Sequence, residues 1–490
     1  MKNIYEIGIK KQKRPVRIVQ FGEGNFLRAF VDYMIDILNE KTGFDGSIAI
    51  VKPISFGSLD KFEKQDCLYT VVLRGREKGK TVNRYRVITS VDRAVDGAET
   101  WENLAKLARC ETVRFIVSNT TEAGIVLDET DKAEGIPNTY PGKLTKFLYE
   151  RFIFFDSSTD RGVIVLPVEL IEDNGKKLLD CVLRLSKVWD LPENFRSWIT
   201  ESCVFCSTLV DRIVTGYPAG ESSDICSSLG YNDELLDVGE PFGLWVIESD
   251  RDISAELPFD KAGLPVIFTS DQRPYRERKV RILNGAHTSS VLISWLCGLG
   301  NVREMMLDDD TGHFVRRVVL DEIAPHVPLD RDSVVSFAND VFERFENPFI
   351  DHRLLSISLN SVSKWKARVM PTFRDYYRVN GALPPVITFS FAALLAFYSS
   401  SDLREDGLRA ARRDGTEYTV RDDRNVLEFF VKKSVLDVDR FVAAAAANTG
   451  FWGEDLSLYA GFVPTVAGYL SDIRNDPRNA LRKILTSPEK

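Results

Sequence analysis

Apolar residues in the first third of the chain come in short runs, separated by polar stretches with helical periodicity. Residues 16–21 form one such run. Gly22-Glu23-Gly24 follows, and then apolar positions at Phe26, Phe30, Met34, Ile37 and Leu38 mark one face of a helix from Asn25 to about Glu40. Further strands are predicted at 47–51, 68–73, 85–90, 113–118 and 162–168. A polar, Lys/Gly-rich turn at 74–81 joins the 68–73 and 85–90 strands. Helices are predicted at 99–109 and 142–155. Alternating strand and helix implies a mostly parallel sheet with helices on both faces.

Beyond about Pro274 the period changes. Helical patterns cover 275–298, 311–324, 331–345, 351–364, 386–400, 426–435, 437–447 and 476–485, and strand-like runs are few. A boundary therefore falls in PVIFTSDQRP, at 265–274. It divides the chain into residues 1–270 and a mainly α-helical domain, 271–490. A length of 490 residues suits two or three cores.

Composition narrows the function classes. Hydrophobic content of 44% and charged content of 28% are those of a globular protein, and a net charge of −8 supplies no basic field for nucleic acid. The longest apolar stretch, 382–398, is interrupted by Pro384, Pro385, Thr388 and Ser390. It falls short of the roughly 18 uninterrupted residues of a membrane helix. The N-terminus has no hydrophobic signal segment. Seven scattered cysteines fit reduced thiols and a cytoplasmic location. The single CxxC, Cys203 and Cys206, has no second pair and reads as two small buried residues. Four histidines without ligand spacing give no metal site.

Two segments carry chemistry. The first is VRIVQFGEGNFLRAF, a strand, Gly-x-Gly and a helix. Gly22 permits the tight turn, Gly24 lets backbone approach a pyrophosphate, and the helix start offers free N–H groups. The third glycine of the usual fingerprint is replaced by Leu27. This placement predicts an α/β Rossmann-type N-terminal domain that binds a dinucleotide. Lys52 stands where a ribose-reading acid is expected, so it either favours a 2′-phosphate or is simply exposed. The loop Ser118-Asn119-Thr120-Thr121-Glu122 follows a strand. It either lines the cofactor crevice, through Asn119, Thr120 and Glu122, or opens a short helix as a capping box.

The second segment is YRERKVRILNGAHT. Lys279, Asn284 and His287, at spacings of five and three, share a broad sector of an otherwise apolar helix. An amine can exchange a proton, an amide can hold an oxygen and an imidazole can bond a hydroxyl. The bland alternative is a surface lysine, a turn at Asn284-Gly285 and a core histidine. Tyr275 and Lys279 mimic the Tyr/Lys pair of short-chain dehydrogenases, but they lie outside the nucleotide domain, so proton transfer is assigned to Lys279.

Four ordered blocks together resemble the polyol-specific long-chain (mannitol) dehydrogenase family. They are Gly22, Gly24, Phe26 and Arg28; Leu209-Val210-Asp211-Arg212-Ile213; Glu240-Pro241-Phe242 with Trp245-Val246-Ile247-Glu248; and Lys279-x4-Asn284-x2-His287. Within it, QFGEGNFLRAF, SNTTEAGI, PVELIEDNG, STLVDRIV and KVRILNGAHT resemble the branch acting on hexuronates. The resemblance implies NAD(H), no metal, and a small hexuronate or aldonate substrate. It makes Lys279 the general acid/base, Asn284 the holder of the reacting oxygen and His287 a binder of a substrate hydroxyl. It also places Gly22, Gly24, Asn25 and Phe26 in the cofactor loop. Lys364 falls where relatives contact substrate, with Asn360 one turn away, and Lys364 or Arg368 suits a carboxylate. The family's second oxyanion asparagine is replaced by Leu170, which leaves Asn284 alone or assisted by Asn174. Fructuronate reductase, a mannitol-type dehydrogenase and an inactive nucleotide-binding regulator remain as rivals. The sequence leaves oligomeric state open.

Overall fold

A computed structural model describes residues 1–120 and 123–486. The chain divides into two compact units, Met1–Arg74 with Val82–Gln272, and Gly75–Thr81 with Arg273–Lys490.

The first unit is built on six strands: β1 (Val16–Phe21), β2 (Ser47–Lys52), β3 (Val91–Asp96), β4 (Phe115–Ser118), β5 (Ile164–Pro167) and β6 (Val204–Phe205). They are hydrogen-bonded in the order β3-β2-β1-β4-β5-β6, all parallel. This is the doubly wound dinucleotide order, with its reversal point between β1 and β4. The short apolar runs of the sequence are apolar throughout because both faces are covered. Ile48, Ile50, Phe115, Val117, Ile164 and Leu166 pack on one side with Phe30, Met34 and Leu38. Ala49, Val51, Ile116 and Val165 pack on the other with Leu144, Phe147 and Leu148.

The polar turn expected at 74–81 is mostly strand. Tyr69–Glu77 and Lys80–Ile88 extend up to Lys78-Gly79, where positive φ values of 52° and 77° close the hairpin. Charged side chains at its tip disguised the strand ends. Those tip residues belong to the second unit, where the Gly79 N–H donates to the Glu343 carboxylate at 2.6 Å and Arg76 pairs with Glu346 at 3.2 Å.

The second unit is mainly helical. The apolar stretch at 382–398 forms its helix Pro385–Phe397, buried along almost its whole length. Among the described residues no helix is long and apolar enough to cross a membrane. The helix predicted at 351–364 divides into Leu354–Ile357 and Ser361–Arg368, because Asn360 takes a left-handed φ of 54°. Helices Met370–Asn380 and Phe462–Asn475 were not foreseen. Nor was the antiparallel sheet of Asp402–Arg404, Gly407–Ala411 and Glu417–Val420, whose arginine- and aspartate-rich sequence masks its alternation.

Among the described residues three helices contain π-turns, at Arg28–Asp32, Val280–Asn284 and Val318–Ile323. Such turns are uncommon and concentrate at functional sites. Two of the three fall in the segments singled out above.

Candidate functional site

Gly22 leaves β1 with φ 123°, and a Cβ there would lie 3.0 Å from both the Asn119 carbonyl oxygen and Leu27 Cδ1. Gly22 and Asn119 therefore face each other across the β1/β4 reversal point. Gly24 precedes the helix without a side-chain cap, and a Cβ at that position would meet nothing within 4 Å. Open backbone at an uncapped helix start is what a pyrophosphate requires, so this loop fits a dinucleotide.

The loop's side chains are held from below. Asn25 accepts a hydrogen bond from Arg28, whose guanidinium also donates to the Leu235 carbonyl and lies 3.8 Å from Asp237. Phe26 stacks on Phe30 at 5.0 Å. Arg212 donates to the carbonyls of Ala29 at 2.6 Å and Phe242 at 2.9 Å. The strands Ser207–Asp211 and Leu244–Glu248 pair directly, Val210 opposite Trp245. Three of the four sequence blocks thus meet around the Arg28–Asp32 π-turn.

The loop after β4 is tied down by a residue the sequence reading passed over. Buried Glu169 accepts hydrogen bonds from Ser118 Oγ at 3.1 Å, Thr120 N at 3.0 Å and Thr120 Oγ1 at 3.1 Å. Burial raises its carboxyl above the ordinary value, against these donors. Asn119 N donates to the Phe21 carbonyl at 3.1 Å, which fixes it beside Gly22. Glu122 lies outside the described residues.

Lys52 is neither exposed nor free to meet a phosphate. It is buried, pairs with Asp96 at 2.7 Å, and donates to the carbonyls of Ile54 at 3.0 Å and Ser55 at 3.4 Å. The acid missing from the end of β2 stands instead at the end of neighbouring β3. Glu23, in the cofactor loop, feels both Lys52 and Asp96, though burial dominates and raises its carboxyl. A search for acids one strand further along would have found Asp96.

Asn174 cannot serve as a second oxyanion donor. Its amide nitrogen donates to the carbonyls of Pro167, Glu169 and Thr208, and its oxygen accepts from Gly175 N and Thr208 N. Every polar position of this buried side chain is engaged within the fold. Leu170 is 64% exposed.

In the second unit, Lys279 ends the helix Arg273–Lys279, the π-turn Val280–Asn284 follows, and Gly285–Leu296 continues as α-helix with His287 in its first turn. On a regular α-helix Lys279 and Asn284 would diverge by about 140°. The i→i+5 ladder of a π-turn winds less per residue and returns residue 284 toward the face of residue 279. The awkward Asn284-Gly285 pair is thus where the helix changes pitch. The Asn284 side chain makes no hydrogen bond to any described residue, and its carbonyl accepts from Thr288 Oγ1 at 2.9 Å.

His287 has a solvent-shielded Nε2 without a partner. Burial, then His352, Arg344, Arg368 and Lys364, hold its pKa well below the usual histidine range, so the imidazole is neutral. A Cβ on Gly285 would lie 3.5 Å from the Arg368 carbonyl, which places the end of Ser361–Arg368 against this helix. Lys364 Nζ donates to the Ile357 carbonyl at 2.9 Å, and burial and then Arg368 lower its pKa. Asn360 is fixed through its backbone N–H to the Arg421 carbonyl at 3.0 Å. Its side chain makes no hydrogen bond among the described residues. The structure thus gathers His287, Lys364 and Arg368, and adds Arg344 and His352, which the sequence offered only as isolated residues. Among the described residues, no group of three or more His, Cys, Asp or Glu side chains is arranged to hold a metal.

Comparison with known proteins covers both units. The mannitol dehydrogenase Rossmann domain matches residues 16–261 and the mannitol dehydrogenase C-terminal domain matches 271–473. Altronate oxidoreductase of Bacillus subtilis (strain 168) is 42% identical over 476 residues, 96% of this chain and 95% of that protein. A substrate-free D-sorbitol dehydrogenase structure aligns with a TM-score of 0.79 at 22% identity, covering 97% of this chain and 96% of its own. The Pseudomonas fluorescens mannitol 2-dehydrogenase ternary complex with NAD and D-mannitol aligns at 0.64 and 21% identity, covering 99% and 97%. At these identities the two structures speak to the fold alone. With both domains matched in order, and a relative this similar along nearly its full length, the chain belongs to the mannitol dehydrogenase family.

Proposed function

We propose that this chain is an NAD-dependent oxidoreductase interconverting D-altronate and D-tagaturonate, with cofactor binding in residues 1–270 and substrate chemistry in 271–490. The observation that carries the reading is the π-turn at Val280–Asn284; its wider pitch brings residue 284 nearer the face of residue 279, with His287 three residues further on. The name and 42% identity of the altronate oxidoreductase relative point to the same substrate.

When bound, NAD(H) supplies or accepts the hydride. In the reducing direction Lys279 Nζ donates a proton to the substrate oxygen as it gains negative charge, and in oxidation it takes that proton back. The Asn284 amide N–H holds the same oxygen and stabilises the charge building on it. His287, neutral, donates to or accepts from a neighbouring hydroxyl and fixes the sugar acid's orientation. Lys364 and Arg368 supply positive charge for the carboxylate, with Asn360 alongside as a further polar contact. In the first unit Gly22, Gly24, Asn25 and Phe26 cradle the dinucleotide, and Asn119 and Thr120 line its crevice. The engagement of Lys52 by Asp96 favours NAD over its 2′-phosphorylated form. Seven free cysteines suit a reducing cytoplasm.

The experiment is NADH oxidation with D-tagaturonate, D-fructuronate and D-fructose in parallel, repeated with NADPH. The expected order is D-tagaturonate first, with NADH. Equal or better turnover of D-fructose overturns the uronate assignment, and no turnover of any of the three points to a nucleotide-binding regulator.

A further inference from the structure

His287 lies against two rings. Phe345 stands 4.2 Å away between centroids, and His352 stands 5.3 Å away with its plane tilted by 59°. Phe345 forms an apolar wall. His352 brings two more nitrogens to the same place.

Backbone contacts fix His352 where it is. Its carbonyl accepts from Val302 N at 3.0 Å, and the adjoining Arg353 forms a β-bridge with Asn301. Neither ring nitrogen is hydrogen-bonded among the described residues. The neighbouring His287 has an Nε2 that is shielded and unpartnered. A polar atom buried without a partner is costly, and sites built to receive a ligand group are where such atoms persist.

The charges that act most strongly on His287 have one sign. Buried Arg344 precedes Phe345 on the helix Arg331–Phe345, and Lys364 and Arg368 lie on Ser361–Arg368. These three, with His352, are the groups that act most strongly on His287 after burial itself, and no carboxylate is among them. Asp340 acts on Arg344 and Asp422 on Lys364, and neither is among the groups that act most strongly on His287. Two adjacent imidazoles with nitrogens free to bond, an aromatic ring and three cations acting on His287 are complementary to an anion.

We propose that His352, together with Arg344, forms a carboxylate-binding subsite beside His287 that makes this protein select a sugar acid over the corresponding uncharged sugar. The inference rests on the functional reading above and deepens it. His352 donates an N–H to the carboxylate, Arg344 supplies charge from within the core, and His287 keeps its own hydrogen bond for the adjoining hydroxyl.

The test is selectivity. The ratio of kcat/KM for D-tagaturonate to that for its uncharged counterpart, D-tagatose, is measured in the native protein, His352→Ala and His352→Gln. Loss of one hydrogen bond to a charged group is expected to lower the ratio roughly tenfold to a hundredfold in His352→Ala, mainly through KM for the acid. The Gln variant, whose amide still donates, should retain more of the ratio. A ratio unchanged in His352→Ala, because both substrates suffer equally or neither does, overturns the subsite. Failure of the native protein to turn over D-tagaturonate sinks the functional reading instead. The subsite is then judged without turnover, by calorimetric binding of D-gluconate against D-sorbitol in the presence of NADH. A preference for gluconate that weakens in His352→Ala supports it, and no preference, or one equal in both proteins, overturns it.

Discussion

The Lys52 ammonium and the Asp96 carboxylate lie 2.7 Å apart at the ends of neighbouring parallel strands, with Lys52 only 3% exposed. This pair occupies the position at which doubly wound folds read the adenosine ribose. A lysine there would ordinarily suggest a 2′-phosphate. Because its charge is already met by Asp96 and its remaining donors by two carbonyls, the charge presented at the crevice edge is the acid's. Burial acts to raise the Asp96 pKa, but Lys52 and the backbone N–H groups of Ala98 and Glu99 outweigh it and hold the carboxyl below 3.8.

Asp96→Asn should therefore move cofactor preference. The released Lys52 charge is expected to raise the ratio of NADPH to NADH kcat/KM by at least about tenfold, an energy of about 1.4 kcal/mol. The same change should cost stability of up to about 3 kcal/mol, since a buried cation loses its partner while Asp96 itself keeps some solvent. The depressed carboxyl contributes stability above the unfolded value near 3.8 and loses it as pH falls through the folded value, so the variant and native proteins should converge in strong acid. A cofactor ratio that does not move would show that Lys52 and Asp96 are structural only.

Lys279→Ala should lower kcat for ketouronate reduction by roughly 10²- to 10⁴-fold, the usual contribution of a positioned acid/base. NADH affinity, read by fluorescence titration, should be little changed. Tyr275→Phe, on the same short helix, should keep most activity. A loss in Tyr275→Phe as deep as that in Lys279→Ala would transfer the proton to the tyrosine.

The sequence made the parallel sheet legible because its strands are covered on both faces: runs such as residues 47–51 and 162–168 have no polar alternation to confuse them. The Gly22 turn was legible because few residues tolerate its φ. The sheet at 402–420 was hidden, since its alternating residues include many arginines and acids that stay solvated. The triplet's residues and their broad common sector were read from type and spacing, but the π-turn between them was not, because an i→i+5 turn leaves no periodic signature. His352 and Arg344 were invisible for a different reason. They stand eight residues apart in one stretch of sequence, far along the chain from His287, and only folding sets them beside it. Whether Asn174 assists Asn284 stayed open in the sequence, because only the fold shows its amide engaged by the carbonyls of Pro167, Glu169 and Thr208.

Glu322 gives a pH prediction outside the site. Its buried carboxylate lies in the π-turn Val318–Ile323 and accepts the N–H groups of Val386 at 2.7 Å and Ile387 at 2.8 Å, at the start of the buried helix. Burial raises its pKa from 4.5 to about 7, despite those donors. A raised carboxyl contributes its stability fully below the unfolded value near 4.5 and loses it as pH rises through about 7. Roughly 3 kcal/mol should disappear across that window through this group. Unfolding at pH 5 and pH 8 should show a shallower fall in Glu322→Gln than in the native protein, and identical slopes would show that Glu322 does not titrate there.

Asn284 and Asn174 present the same amide in opposite circumstances, and their variants should fail in opposite ways. The Asn174 side chain is engaged by five backbone groups inside the first unit, three carbonyls sharing its two N–H donors, and ties the loop after β5 to Thr208. Its replacement by Ala strands buried carbonyls and N–H groups, at about 1–3 kcal/mol for each left unsatisfied. Asn174→Ala should therefore lower thermal stability sharply, with kcat of the folded fraction little affected. Asn284 makes no side-chain hydrogen bond to the described residues, so Asn284→Ala should leave the melting temperature nearly unchanged. It should instead lower kcat roughly 10²- to 10³-fold, as loss of one oxyanion donor does. The reverse pattern, a stable but inactive Asn174→Ala beside an active Asn284→Ala, would move the oxyanion contact to the first unit. Deep kcat losses in both would mean that two donors share the oxygen after all. The measurement needs both variants side by side, because only the split between melting temperature and kcat separates an amide that builds the fold from one reserved for substrate.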